Sequence, residues 1–177
     1  CSQSDIEEVR LSPACNPESI HSAIIVVSDR VLSGEKTDKA SPRCAERLTA
    51  LGMPEPKVRV VAEKRAAIEE ALDESLKRGD RFILLLGASG FRAGNDAPEA
   101  ARAFIEVEIP GIAEQIRSYG LTKTPLAPLS RATVGVSARD STGALIVVSP
   151  GSSGGAQDTL DVVEPLLPHV ITQLNEV

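Results

Sequence analysis

Tryptophan is absent from this 177-residue chain, and the aromatic complement is one Tyr and three Phe. A core built without aromatics must be aliphatic, made of Val, Ile, Leu and Ala. The same scarcity argues against modules that stack bases on aromatic rings. Positive charge is also in deficit. With a net charge of -6, the chain lacks the basic surface that general nucleic-acid binding requires. A small phosphorylated ligand needs only a local set of donors and survives this test. Histidine is limited to His21 and His169, both at the ends of predicted elements, so histidine-driven catalysis is not expected. The three cysteines, Cys1, Cys15 and Cys44, have neither disulfide-framework density nor metal spacing. Cys44 falls in a predicted helix and reads as a small buried hydrophobe. No apolar run reaches membrane-spanning length and no signal peptide is recognised, so a reducing cytoplasm and no membrane partner are expected. The chain opens on Cys1 without an initiating Met. We read this as a trimmed chain, with a lipidated amino terminus as the alternative.

What is present is a regular alternation of strands and helices. Residues 1–20 are polar and aperiodic, with Pro13 and Pro17, and read as a flexible extension, with docking on a neighbour as a further role. From residue 21 onward the pattern is that of one domain. Strands are expected at Ser22–Ser28, Lys57–Val61 and Arg81–Leu86. The run Ala132–Ala138 alternates like a strand and pairs back, through a turn at Asp140–Gly143, onto Ala144–Ser149. Helices are expected at Ala40–Leu51, Arg65–Lys77, Ala97–Ile105, Ile112–Tyr119 and Ala156–Leu167, with a terminal turn at Val170–Leu174. Continuously apolar strands alternating with helices define an α/β fold. We expect a three-layer αβα sandwich with a mainly parallel sheet and one antiparallel hairpin.

Two loops carry the chemical signal. Arg81-Phe82-Ile83-Leu84-Leu85-Leu86 runs into Gly87-Ala88-Ser89-Gly90, and Asn95-Asp96-Ala97-Pro98-Glu99-Ala100 follows, with Pro98 where a helix begins. Ala144–Val148 similarly runs into Ser149-Pro150-Gly151-Ser152-Ser153-Gly154-Gly155. A buried strand feeding a small-residue turn before a helix exposes backbone N–H groups to an anion. Its alternative is an ordinary strand-to-helix connection. A third segment, Val27-Ser28-Asp29-Arg30 with Ser33-Gly34 and Asp38, closes the first strand. All three lie at the carboxyl ends of strands, where open α/β sheets bind ligands. Neither a Walker phosphate loop nor a dinucleotide fingerprint is present. Phosphoryl or nucleotidyl transfer, with Mg²⁺ held by carboxylates, suits such a site.

In this order and register, these segments resemble the molybdopterin-binding MogA/MoaB family. Val27-Ser28-Asp29-Arg30, Gly87–Gly90 through Ala97-Pro98-Glu99-Ala100, Glu108-Ile109-Pro110-Gly111, Leu129-Ser130-Arg131-Ala132 and Ser149-Pro150-Gly151-Ser152 carry the likeness, over roughly residues 21–167. The resemblance implies a molybdopterin-binding α/β domain that acts in molybdenum cofactor biosynthesis. It implies transfer of adenylate from ATP, with Mg²⁺, to molybdopterin. It also implies a homotrimer or dimer of trimers and a molybdenum-insertion partner protein.

Carried onto this sequence, the resemblance makes Asp29, Glu63, Asn95 and Asp96 the catalytic candidates, with Asp29 and Asp96 as metal ligands. Ser28, Gly87, Ala88, Ser89, Gly90, Pro98, Glu99, Ser130, Pro150, Gly151 and Ser152 become the ligand-binding candidates. Several have plainer roles open to them. Asp29 suits a turn acid, Glu99 a helix-dipole partner, Ser152 an N-cap, and Arg131 either a phosphate contact or a solvated side chain. Glu106 and Glu108 read as a solvated face. The motif's Asp, Arg and Thr positions hold Asn95, Gly94 and Ala97 here, and its second Asp falls on Glu63. Asn supplies no carboxylate to a metal, so a binding protein without turnover is the alternative to an enzyme.

Overall fold

The computed structural model describes residues 15–176. Its centre is a six-stranded sheet of β1 (Ser22–Val27), β2 (Lys57–Val61), β3 (Phe82–Leu86), β4 (Val107–Glu108), β5 (Val134–Val136) and β6 (Leu145–Ser149), in the order β2-β1-β3-β6-β5-β4. The first four in that order are parallel. The pairs β5–β6 and β4–β5 are antiparallel. All residues of β1, β3 and β6 are buried, because helices cover both faces of a parallel sheet.

Seven α-helices fill the two outer layers of the described residues: α1 (Asp29–Leu32), α2 (Ala40–Ala50), α3 (Arg65–Arg78), α4 (Ala97–Arg102), α5 (Pro110–Leu121), α6 (Ser153–Val163) and α7 (Leu167–Asn175). One face of the sheet, with Ile24, Leu84 and Val147, packs on α2, α5, α6 and α7 through Cys44, Leu48, Ile116, Leu160 and Ile171. The other face, with Ile25, Leu85 and Val148, packs on α3 and α4 through Ile68, Leu72, Ala97 and Ala101. This is the expected three-layer sandwich. Both faces are largely aliphatic; Phe82 is fully buried in the first and Phe104 packs partly buried against the second. Cys44 is also fully buried, and burial pushes its thiol up to about 11.

The structure departs from the expectations at particular places. The helix expected to end at Ile105 stops at Arg102, and the chain turns so that Val107 and Glu108 pair with β5. Glu106 and Glu108 are exposed, as expected, and Glu108 lies in this edge strand. The helix expected from Ile112 begins at Pro110, since proline at a first helical position gives up only an N–H that would be unpaired. The helix expected from Ala156 begins at Ser153, and the terminal turn is a full helix, α7. Of the expected extension, residues 1–14 lie outside the described residues. Pro17–Ser19 form a 3-10 turn, and Ile20 is buried in the core. No helix among the described residues is long and apolar enough to cross a membrane.

Candidate functional site

Strand register assembles the site. In the parallel pairs, Val27 lies beside Val61, Val26 beside Leu86, and Leu86 beside Ser149. The residues just past each strand end, Ser28, Gly87 and Pro150, must therefore meet at one edge of the sheet. Gly87 is squeezed there. Its φ is +109°, and a Cβ on it would lie 2.5 Å from the Val27 carbonyl oxygen. Its N–H donates to the Ser149 carbonyl at 3.0 Å. Gly151 approaches from the other side, and a Cβ on it would be 3.0 Å from the Gly87 Cα. Two glycine backbones in contact thus form the floor of the site. Ala88 continues the turn at φ 51°, in the left-handed region that an L-residue enters at a cost.

The same register brings two acids together. Asp29 and Glu63 each sit two residues beyond the paired Val27 and Val61. The Glu63 N–H donates to Asp29 Oδ1 at 2.9 Å, and the Asp29 N–H donates to Glu63 Oε2 at 3.4 Å. Each carboxylate keeps one oxygen outside this exchange. Mg²⁺ is commonly held by one or two carboxylates plus substrate phosphates, and this pair fits that requirement. Among the described residues no three His, Cys, Asp or Glu side chains converge as a resident metal site. Asp29 opens α1 but does not cap it; the cap is Ser28, whose Oγ accepts the Val31 N–H at 3.2 Å. Asp38 caps α2 in the same manner, accepting from Ala40 and Ser41 N–H.

Two clefts open onto this edge. The first encloses about 820 Å³ and is lined by Ser28, Glu63, Gly87, Ala88, Gly151 and the polar segment from Glu35 to Lys39. The second encloses about 530 Å³ between the Gly90 loop, α5 and α6. Its walls combine Phe91, Ile116, Leu126 and Leu129 with Arg92, Arg117 and Lys123. Arg117 donates to the Ala132 carbonyl at 3.0 Å, and the Lys123 Nζ lies 5.5 Å from the Tyr119 ring centre. Both contacts are with neutral groups, and Asp158 lines the same cleft. The clefts share one wall: Ser89, Gly90, Asn95, Pro150 and Ser152 line both. Within that wall the Gly90 N–H donates to Asn95 Oδ1 at 3.2 Å. Ser152 caps α6, its Oγ accepting the Gly155 N–H at 3.1 Å. The Ser130 Oγ, on the second cleft, is buried with no partner. Such a hydroxyl calls for a ligand atom or a water.

Not every expected residue reaches the clefts. Asp29, Asp96, Pro98 and Glu99 line neither; Asp29 meets the first cleft only through its neighbour Ser28 and its partner Glu63. Pro98 is buried in the first turn of α4, and that helix has only six residues. Glu99 is paired with Arg131, whose hydrogen bond holds the carboxyl below the usual range. Asp29 therefore finds its acidic neighbour in Glu63 and not in Asp96. Arg131 is not a solvated side chain but is half-buried against the loop. The cations of the second cleft went unread in the sequence. Arg117 and Gly120, one turn apart on α5, with Lys123 just past its end, are the signal available for them.

An α/β domain with joined clefts at the carboxyl ends of its parallel strands belongs to the ligand-binding class of open sheets. Residues 23–169 match the family described as "Probable molybdopterin binding domain", and the chain belongs to that family, one of molybdenum cofactor biosynthesis. It is 34% identical over 151 residues to the molybdopterin adenylyltransferase of Escherichia coli K12, covering 84% of this chain and 75% of the relative. It is 30% identical over 155 residues to a molybdenum cofactor biosynthesis bifunctional protein of Synechococcus elongatus, covering 88% of this chain. It spans 47% of that relative's length. The solved Mog protein of Mycobacterium ulcerans superposes with a TM-score of 0.81 at 35% identity, over 88% of this chain and 99% of that one.

Proposed function

We propose that this chain is a molybdopterin adenylyltransferase. The observation that carries the reading is the wall shared by the two clefts, since joining two substrates requires their reacting ends to meet. The similarity to a relative of that activity, at 34% identity, supports it. A phosphate oxygen of molybdopterin attacks the α-phosphorus of ATP. The bond from that phosphorus to the bridging oxygen of the β-phosphate breaks, and pyrophosphate leaves. The first cleft, with the backbone N–H groups of Ala88 and Ser89 and with Lys36 and Lys39, suits a nucleotide polyphosphate. The second, apolar with Arg92, Arg117, Lys123 and the unpartnered Ser130 hydroxyl, suits a pterin bearing a phosphate. Asp29 and Glu63 would hold Mg²⁺, which when bound neutralises charge on the departing pyrophosphate. The other work is positioning, which can supply about 7–11 kcal/mol of a barrier. Assembly as a homotrimer or dimer of trimers is part of this proposal.

The test is Asp29→Ala. Pyrophosphate release with molybdopterin, ATP and Mg²⁺ should fall by about 100-fold or more, as loss of a charge-stabilising group does. The far-ultraviolet spectrum should be unchanged, because Ser28 and not Asp29 caps α1. Release at the unaltered rate contradicts the assignment of Asp29.

A second reading is supported by Asn95. Its amide oxygen takes the Gly90 N–H where a carboxylate would bring charge to the shared wall. That favours a protein that binds both ligands and turns them over slowly or not at all.

A further inference from the structure

Arg131 makes more contacts to the Gly90 loop than any cleft residue does, yet it lines neither ligand cleft. Its backbone N–H donates to the Ser89 carbonyl at 2.8 Å. Its Nε donates to the Gly90 carbonyl at 2.7 Å and its Nη2 to the Asn95 carbonyl at 2.6 Å. The guanidinium also pairs with both oxygens of Glu99, Nη2 reaching Oε2 at 3.2 Å and Nη1 meeting Oε1. One residue thus ties the start, middle and end of the segment between β3 and α4. It does so from behind, where it faces a separate cavity with Arg102, Glu108 and Thr133.

The consequence follows from peptide geometry. A trans peptide is planar, and its C=O and N–H point in opposite directions. Fixing the Ser89 carbonyl fixes the direction of the Gly90 N–H, and fixing the Gly90 carbonyl fixes that of the Phe91 N–H. Both carbonyls are held towards Arg131, so both N–H groups are turned away from it, the Gly90 N–H onto Asn95 Oδ1 in the shared wall and the Phe91 N–H to the side where Phe91 meets the second cleft. Holding the Asn95 carbonyl sets the position of the Asn95 side chain that receives the Gly90 N–H. We propose that Arg131 is a positioning residue: through Ser89, Gly90, Asn95 and Glu99 it fixes the wall shared by the two clefts, with the Asn95 amide locked by the Gly90 N–H, for a phosphate-bearing ligand without touching that ligand. The role needs a planar fork of several donors at fixed angles. Lysine keeps the charge but offers a single point of donation.

The proposal rests on reading the joined clefts as the ligand site. Its test is therefore ATP binding, which does not depend on turnover. The variants are Arg131→Lys, Arg131→Ala and Glu99→Gln, each followed by calorimetric titration with ATP and Mg²⁺ and by amide hydrogen exchange. Arg131→Lys should weaken ATP by about 10- to 100-fold, the scale set by small misplacements of binding groups. Exchange at the Gly90 and Phe91 amides should rise while the β3 amides stay protected. Millimolar guanidinium should restore part of the affinity to Arg131→Ala, and potassium chloride at equal ionic strength should not. Glu99→Gln keeps the carbonyl contacts of Arg131 and should lose less than Arg131→Lys. ATP affinity unchanged in Arg131→Lys overturns the proposal, as does weakened affinity with loop exchange unchanged. Should Arg131→Ala fail to fold, the comparison of Arg131→Lys with Glu99→Gln decides the matter. ATP binding by the unaltered chain without pyrophosphate release removes the adenylyltransferase reading and leaves this one standing. No ATP binding by the unaltered chain overturns both.

Discussion

Replacing Gly87 with Ala puts the geometry of the site floor to a quantitative test. Two costs add. The first is conformational: at φ +109° an L-residue carries about 1–3 kcal/mol of strain. The second is steric. The new Cβ would lie 2.5 Å from the Val27 carbonyl oxygen, inside any permissible contact. Neither side can yield cheaply. Val27 ends a strand paired on both sides, and Gly87 is tied by its N–H to Ser149. Relief of such an overlap typically costs about 1–3 kcal/mol. The sum is about 2–6 kcal/mol, and at about 2–4 °C per kcal/mol for a chain of this size we expect a Tm lower by about 4–24 °C. Gly79→Ala is the internal control. Gly79 has φ +91° at the end of α3, with nothing within 4 Å of a Cβ. It carries only the conformational cost and should lose about 1–2 kcal/mol. Thermal unfolding followed by circular dichroism compares the two directly. Because the displaced backbone is the floor under Gly151, ATP affinity should fall with Gly87→Ala and hold with Gly79→Ala. Equal losses of Tm in the two variants would refute the close packing of Gly87 on β1.

Other expectations follow from titration and burial. Burial raises the Cys44 thiol to about 11, so iodoacetamide at pH 8 should leave Cys44 unlabelled in the native chain and label it after denaturation, as peptide mapping reads. The hydrogen bond from Arg131 holds Glu99 below the usual carboxylate range, so its contribution is present above about pH 4.5 and is lost as pH falls through the lowered value. Thermal melts between pH 3 and 6 should therefore show a steeper acid loss in the unaltered chain than in Glu99→Gln, and parallel curves would contradict the pairing.

The parallel strands were legible because burial on both faces leaves a continuous apolar run. Ile24 to Val27, Phe82 to Leu86 and Leu145 to Val148 need no partner information to be read. The β5–β6 hairpin announced itself by alternation and by the turn residues Asp140 and Gly143. The edge strand β4 did not, because two exposed residues carry no period. Its one trace is Gly135 within Val-Gly-Val, where a Cβ would lie 2.6 Å from the Val107 carbonyl oxygen, a close approach that a strand glycine often marks. The Gly87 and Pro150 loops could be found from composition, since small residues after an apolar run have few other uses. The second cleft could not. Arg117 and Lys123 look like any solvated face of a helix until α5 is packed beside the Gly90 loop. The contact of Asp29 with Glu63 spans 34 positions and exists only because β1 and β2 pair in one register. Arg131 was ambiguous for the same reason: its side-chain partners lie 32 to 41 positions away.

The most direct measurement is pyrophosphate release by the unaltered chain with molybdopterin, ATP and Mg²⁺, against a control without pterin. The two-cleft account predicts release that depends on the pterin. Binding of both ligands in titrations, with no release above the control, would contradict the adenylyltransferase reading and establish Asn95 as the mark of a binding protein.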